Sequence, residues 1–356
     1  MQQLFIEGGR KLKNMIYDCI VIGGGQSGLA AAYYLQEAKR NFIILEKSEE
    51  HLGSWANYYD SLTLFSPAPY SSLPGLPFPG GANVYPRRDE VVQYLKSYAA
   101  TYNFPIQSGR EVIRVDKESN IYTVHTSSLE QFRTGSIICA SGAFVNPHIP
   151  DIPGMHEFKG EMLHAKDYRN EKEFKNKRII VVGGGNSAVQ IAVELARTAH
   201  VTIASRSPIK FKPQVIAGKD IHFWLTILRL DQTNWGKRLL QKSSDGVLDT
   251  GIYKSVIDQG KPDAKLMFKA FTGNGIVWAD ETREHVDTVI FATGYIPNFE
   301  YLSGLNVLDS SGVPLKQSDE NIHFVGIPWQ TSFASATIRG SGKDAKKAVQ
   351  SLVKRL

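Results

Sequence analysis

The chain of 356 residues has only two cysteines, Cys19 and Cys139, far apart and each inside an apolar run. No C-x-x-C pair exists, so a dithiol relay of the thioredoxin-reductase type has no candidate; two buried strand thiols in a reduced, cytoplasmic protein are expected. No apolar run approaches the roughly 20 residues that a membrane helix needs. The nearest, "IHFWLTILRL" at 221–230, ends at ten residues and carries His222 and Arg229. No signal peptide is visible, and no membrane insertion is expected. The nine histidines contain no H-x-x-x-H and no Cys/His cluster, which argues against a metal site. Without a G-x-S-x-G elbow, serine-hydrolase chemistry has no anchor. "RGSGKDA" only superficially matches a phosphate loop, because Thr337 stands where glycine is needed and Asp344 where Ser or Thr is needed.

Charge of one sign is not gathered into blocks, although the net charge is +6. The densest basic run, "GKDAKKAVQSLVKRL" at the C-terminus, has its lysines at helical spacing and reads as a solvated helix face. No nucleic-acid partner is expected. The composition, 42% hydrophobic and 21% charged, is that of an ordinary globular protein, and the length suggests two domains or three. Residues 1–14 form an N-terminal extension without clear periodicity, and the first strand is expected directly after Met15.

What the chain does have is a repeated glycine turn. "VIGGGQSGLA" at 21–30 returns as "VVGGGNSAVQ" at 181–190, with Gly183 lying 160 residues after Gly23. Each copy follows an apolar strand, opens a helix and leads to a second strand, as in a doubly wound nucleotide-binding sheet. Gly23 and Gly183 allow the sharp bend. Gly25 and Gly185 let backbone N–H groups approach a pyrophosphate, and Gly28 and Ala188 let helix and strand pack closely. The helix N-terminus adds partial positive charge.

The ends of the second strands differ. Gly28 to Glu46 and Ala188 to Arg206 both span 18 residues, so counting aligns an acid with a base. A carboxylate accepts from ribose hydroxyls and repels a 2′-phosphate, whereas a guanidinium fork suits one. The first site is therefore expected to hold FAD and the second NADPH, with Ser205 and Ser207 as further donors; a solvated strand-end arginine is the alternative for Arg206. NADH acceptance stays open.

Between the units, "RRDEVVQYLKSYAATYN" reads as an amphipathic helix. "EVIRVDKESNIYTVHTSSLEQFRTGSIICASG" reads as a β-meander, and "SLTLFSPAPYSSLPGLPFPGG" as an ordered loop. "ASGAFVNPHIPDIPG" and "FATGYIPN" look alike and read as two crossings between domains. The predicted fold class is α/β, with two doubly wound Rossmann-like domains, the NADPH domain inserted into the FAD domain. The boundaries are 15–150 and 290–356 for FAD and 151–289 for NADPH.

"FKGEMLHAKDY" (Phe158, Gly160, His164, Tyr168), "FATGY" (Phe291 to Tyr295) and Gly53-Ser54-Trp55, with both glycine turns, resemble the class B flavin-containing monooxygenases across the chain from Met15 onward. The resemblance is to the short bacterial branch, which includes sulfide-oxidising and Baeyer–Villiger-active enzymes and a group accessory to cation efflux. It implies a bound FAD reduced by NADPH, oxygen addition to the flavin, and transfer of one oxygen atom from a flavin hydroperoxide to a small sulfide or ketone. It also implies that Gln26, Ser27, Lys47, Gly53, Ser54, Trp55, Val112, Ala140, Ser141 and Gly142 complete the flavin site. Asn186, Ser187, Thr293, Gly294 and Tyr295 complete the second site and the crossing. Trp55 flanks the flavin ring or packs in the core; His164 couples the domains or is a structural linker. Homodimers are common among such flavoproteins. The final helix is expected to aim its N-terminus at the flavin ring.

One departure stands out. Many members carry Y-x-x-L-x-x-N-x-P, with the asparagine stabilising the hydroperoxide, but this chain reads "YDSLTLFSP", with Phe65 there and Ser66 beside it. A lost donor at such a site is worth ~1–3 kcal/mol. NADPH consumption with hydrogen peroxide release is therefore expected. An NADPH oxidase or flavin reductase, and a redox-sensing flavoprotein serving metal efflux, are the rival readings.

Overall fold

The computed structural model describes residues 15–50, 52–230, 246–315 and 319–355, with scattered positions between 231 and 245; the extension 1–14 lies outside these. Cys19–Ile22 and Phe42–Leu45 are buried at every position. That is the pattern of a parallel strand covered on both faces. They belong to a five-stranded parallel sheet ordered Ile322–Phe324, Ile137–Cys139, Cys19–Ile22, Phe42–Leu45, Ile106–Gln107. Cys19, Val21, Ile44 and Ile138 pack under the helices Gln26–Glu37, Arg88–Tyr102 and Ile338–Val353. Ile20, Ile22, Ile43 and Ile137 face the meander Val112–Glu118, Ile121–Thr126, Gln131–Thr134 and the 3-10 segment Glu300–Leu305.

A second five-stranded parallel sheet repeats the plan: Glu161–His164, Thr288–Phe291, Arg178–Val182, His200–Ser205, Asp263–Leu266. Helix Asn186–Leu195 covers one face through Ala188, Val189, Ile191, Ala192 and Leu195. A three-stranded meander (Ala270–Thr272, Gly275–Val277, Arg283–His285) covers the other through Phe271 and Ile276. All strands of this second sheet lie between strands of the first, so one Rossmann-like unit is inserted in the other. The crossings run side by side, with Tyr295–Ile296 antiparallel to Asn146–Pro147.

Three details differ from the sequence reading. "SIICASG" is no part of the meander; Ile137–Cys139 is wholly buried between parallel neighbours. The strand Thr288–Phe291 lies whole in the second sheet, so a boundary at 289/290 cuts it. The second meander has no counterpart in the sequence reading, because its strands are three residues long and leave too short a pattern. The C-terminal lysines Lys346 and Lys347 are exposed while Ala345, Ala348, Val349 and Leu352 are buried, which is a solvated helix face.

His323 sits in the edge strand Ile322–Phe324 with a buried Nε2 that has no hydrogen-bond partner. Burial, with Arg355 nearby, lowers its pKa to about 4. Between the ordinary histidine value and that one, the unfolded chain takes up a proton that the folded chain refuses. Stability is therefore full above the unfolded pKa and falls as pH drops through this window, by at most about 3 kcal/mol. Melting temperature should fall from pH 7.5 to 4.5 more in the wild type than in His323→Leu; an equal fall would exclude His323 as a source of acid lability.

Candidate active site

The first glycine turn is closed in by its neighbours. Gly23 has φ +105°, and a Cβ there would stand 2.5 Å from the Ala140 carbonyl oxygen. A Cβ on Gly28 would stand 1.9 Å from the Gly23 oxygen, so only glycine lets this helix sit on its strand. Gly53 (φ +69°) folds over the turn, where a Cβ would come 2.7 Å from the Gly25 Cα. Glu46 is buried. Its Oε2 accepts from the N–H of Gly24 at 2.6 Å and of Gly53 at 3.3 Å, and its Oε1 from that of Ser48 at 2.9 Å. Each carboxylate oxygen accepts two hydrogen bonds, so Oε1 retains capacity for a ribose hydroxyl.

Around this turn opens a cavity of about 480 Å³. Gly23, Gly25, Gln26, Ser27, Glu46, Lys47, Gly53, Ser54, Val112, Ala140, Ser141, Gly142 and Tyr295 all line it. It lies at the carboxyl ends of the strands, at the point where strand order reverses about Cys19–Ile22, which is where doubly wound sheets bind ligands. Trp55 does not line it; its Nε1 donates to Gln26 Oε1 at 2.9 Å and its ring meets Tyr58 edge-on. Ser27 is buried and lies 3.2 Å, oxygen to oxygen, from Ser341 of the C-terminal helix. Lys47 is paired with Glu111 at 2.6 Å.

The second turn repeats the geometry but is open. Gly183 has φ +141°, with its would-be Cβ 2.4 Å from the Ala292 oxygen. Gly185 has nothing within 4 Å of a Cβ, and Ser187 and Arg206 are exposed. The strand register corrects the count by residues. Ile22 pairs with Leu45 and Val182 with Ala204, and the N–H of Gly23 and of Gly183 donates to the carbonyl of Leu45 and of Ala204 respectively. The structural counterpart of Glu46 is therefore Ser205, and Arg206 corresponds to Lys47. The stretch from helix start to this strand position is one residue shorter in the second unit, whose helix has 10 residues against 12. Ser205 is buried, and its hydroxyl donates to the Ser207 carbonyl at 2.8 Å.

His164 ends the edge strand of the second sheet and is buried. Its Nδ1 accepts from the Lys166 N–H at 3.1 Å, which leaves Nε2 as the protonated nitrogen facing the Gly294 carbonyl at 3.0 Å. Burial lowers its pKa, against the hydrogen bond to Gly294, so the ring is neutral at pH 7. Tyr295 packs edge-on against it at 4.9 Å. Thr293 donates its hydroxyl to the His148 carbonyl, tying one crossing to the other. Phe158 and Gly160 are packing residues: a Cβ on Gly160 would stand 2.3 Å from the Phe158 ring and 2.7 Å from the Asp287 oxygen. Tyr168 donates at 3.0 Å to Glu194, which also receives Ser61 at 2.7 Å; burial pushes the Glu194 carboxyl up.

Phe65 and Ser66 do not line this cavity. Phe65 stacks on His222 at 6.2 Å, and its carbonyl accepts from Gln214 Nε2 at 2.9 Å. The Ser66 hydroxyl is engaged with that of Ser71 at 2.9 Å. Next to them is a polar cluster that sequence reasoning missed. Asp220 accepts from His222 Nδ1 at 2.7 Å, from its N–H at 2.7 Å, from Tyr85 at 2.6 Å and from Gln214 at 2.6 Å. Burial alone would raise the Asp220 pKa, but these four donors hold it below the usual carboxylate range. The cluster ties the chain at Tyr85 to the segment 211–227, and Tyr85, 135 residues from Asp220, is too distant in sequence to reveal it.

Comparison with known proteins agrees with this geometry. Residues 20–327 match the pyridine nucleotide-disulphide oxidoreductase family, and the chain belongs to it. It is similar to the oxidoreductase CzcO of Bacillus subtilis, at 35% identity over 95% of this chain and 99% of that one. It is also similar to a probable indole-3-pyruvate monooxygenase of Arabidopsis thaliana, at 28% identity over 94% and 88%. Among solved structures, a flavin-containing monooxygenase from Stenotrophomonas maltophilia superimposes with TM-score 0.82 at 29% identity, over 96% of this chain and 99% of that one. The protein is therefore an oxidoreductase enzyme that uses a flavin and a nicotinamide cofactor. The dithiol chemistry in the family's name has no basis here, since Cys19 and Cys139 are both buried and burial pushes both thiols up to about 12. Among the described residues no helix is long and apolar enough to cross a membrane, and no cluster of His, Cys, Asp and Glu fits a metal ion.

Nothing in the chain itself requires glycine at position 185. Gly185→Ala should leave the melting temperature of the protein alone within about 1 °C and weaken its stabilisation by an added nicotinamide dinucleotide severalfold. A large loss of stability without nucleotide would show that the glycine serves the fold instead.

Proposed function

We propose that the protein is an FAD-dependent, NADPH-oxidising monooxygenase that transfers one oxygen atom to small soft nucleophiles such as sulfides, or to ketones. The observation that carries this is the asymmetry of the two turns: one buried under Gly53 beside an acid, the other open beside Arg206. An enclosed cradle suits a cofactor that stays, and an open one suits a cofactor that exchanges. FAD fits the first: Gly25 and Gly53 leave room for a pyrophosphate, and Glu46 accepts from the ribose. The FAD domain is residues 15–150 with the chain after the second crossing, and the NADPH domain lies between. When bound, the flavin supplies hydride acceptance and oxygen activation.

The chain's own residues bind and orient. With Ser205 in place of an acid, no carboxylate repels a 2′-phosphate, and Arg206 at the exposed rim supplies the countercharge. Neutral His164 holds the second crossing through Gly294 and so fixes Tyr295 beside Tyr58. Phe65 and Ser66 lie outside the flavin cavity, Phe65 against His222 and Ser66 on Ser71, so neither supplies it with a donor. This favours weak coupling, so an NADPH oxidase releasing hydrogen peroxide is the second reading.

Arg206→Ala should raise the KM for NADPH by roughly tenfold or more and change that for NADH little, the loss of one charge-assisted phosphate contact. Equal effects on both nucleotides would sink the NADPH assignment.

A further inference from the structure

The run at 221–230, too short to span a bilayer, forms part of a two-faced surface element. Val215–Ile216 and Lys219–Asp220 make an antiparallel hairpin through Ala217 and Gly218, whose φ values are 48° and 72°. The helix Ile221–Ile227 follows at once, and Trp224 Nε1 donates to the Ile216 carbonyl at 2.9 Å, fastening helix to hairpin. His222 and Leu225 are buried on one side of this helix. Phe223, Trp224, Ile227 and Leu228, three and four residues apart, share another side. Ile227 is 59% exposed, Leu228 58%, Val215 49% and Ile216 41%. Exposed apolar residues scattered singly need no explanation, but four on two fastened elements do.

The described segment that carries them is predominantly basic. From Arg206 to Leu230 the chain carries Arg206, Lys210, Lys212, Lys219 and Arg229 against a single acid, Asp220. That acid is buried and held by His222, Tyr85 and Gln214. The Lys219 ammonium lies 5.7 Å from the Phe223 ring centre, a cation at the rim of the apolar side. Exposed aliphatics, an aromatic with an anchored N–H, and surrounding lysine and arginine are the features of elements that lie at a bilayer's headgroup boundary.

We propose that the hairpin and helix 215–228 dock on an anionic lipid surface. Ile216, Trp224, Ile227 and Leu228 rest at the headgroup boundary, and Lys219 and Arg229 pair with lipid phosphates. A second copy of the chain is a poorer occupant. A two-fold interface sets the same patch against itself, and this patch would bring its cations together with no exposed acid among the described residues 206–230 to meet them.

Sedimentation of the flavin-loaded protein with vesicles tests this. The protein should pellet with phosphatidylcholine vesicles containing about a third phosphatidylglycerol and less with phosphatidylcholine alone, and added salt should weaken the binding. The double variant Ile227→Glu, Leu228→Glu should bind roughly tenfold more weakly or worse, with basal NADPH oxidation unchanged. If that variant misfolds, Lys219→Glu with Arg229→Glu should weaken binding to the anionic vesicles alone. Absence of pelleting with either vesicle, or equal binding by properly folded variants, overturns the proposal. So does a wild-type dimer in sedimentation velocity that Ile227→Glu, Leu228→Glu dissolves, which would assign the face to a second copy.

Discussion

The close approach of a turn glycine to the end of a neighbouring strand sets the rest of the structure. Gly23 lies against the carbonyl of Ala140 and Gly183 against that of Ala292, each too near for any side chain. That contact bends the chain at the strand end and aims the helix N-terminus into the gap where strand order reverses. The alanines in turn precede Gly142 and Gly294, from which the two crossings depart. One steric constraint, repeated, thus positions both nucleotide cradles and the strap between the units.

The units then diverge by what covers them. Around the first turn, Gly53, Glu46 and Ser27 enclose the loop, and the C-terminal helix reaches it through Ser341. Around the second, Gly185 and Arg206 face outward. Hydrogen bonds across the seam hold the two in register: Ser61 on Glu194, Tyr59 on Gln190 at 3.0 Å, and Gln214 on the carbonyl of Phe65. Apolar contact adds to these bonds, since Tyr59 and Leu62 of the first unit pack into the core of the second.

What the sequence revealed and what it hid follow from the range of the interactions. The glycine turns were legible because their spacing is local and each glycine answers to one steric need. The resemblance between "ASGAFVNP" and "FATGYIPN" was legible, and the two segments pair as strands. The count of 18 residues misaligned Arg206 with Glu46, because a shorter helix in the second unit leaves no trace in composition; only the pairing of Val182 with Ala204 exposes it. "SIICASG" continued an alternating run and so read as meander. Tyr85 and Asp220 are 135 residues apart, and no local pattern predicts their hydrogen bond. The same holds for Phe65 against His222.

The most direct test of a monooxygenase is the fate of its reduced flavin. The purified protein is reduced with NADPH in the absence of oxygen, then mixed rapidly with oxygen, and the flavin spectrum is followed in time. A transient spectrum distinct from both reduced and oxidised flavin, preceding reoxidation, is the predicted result. Direct return to oxidised flavin, with hydrogen peroxide released in equal amount, would contradict it and make the protein an oxidase.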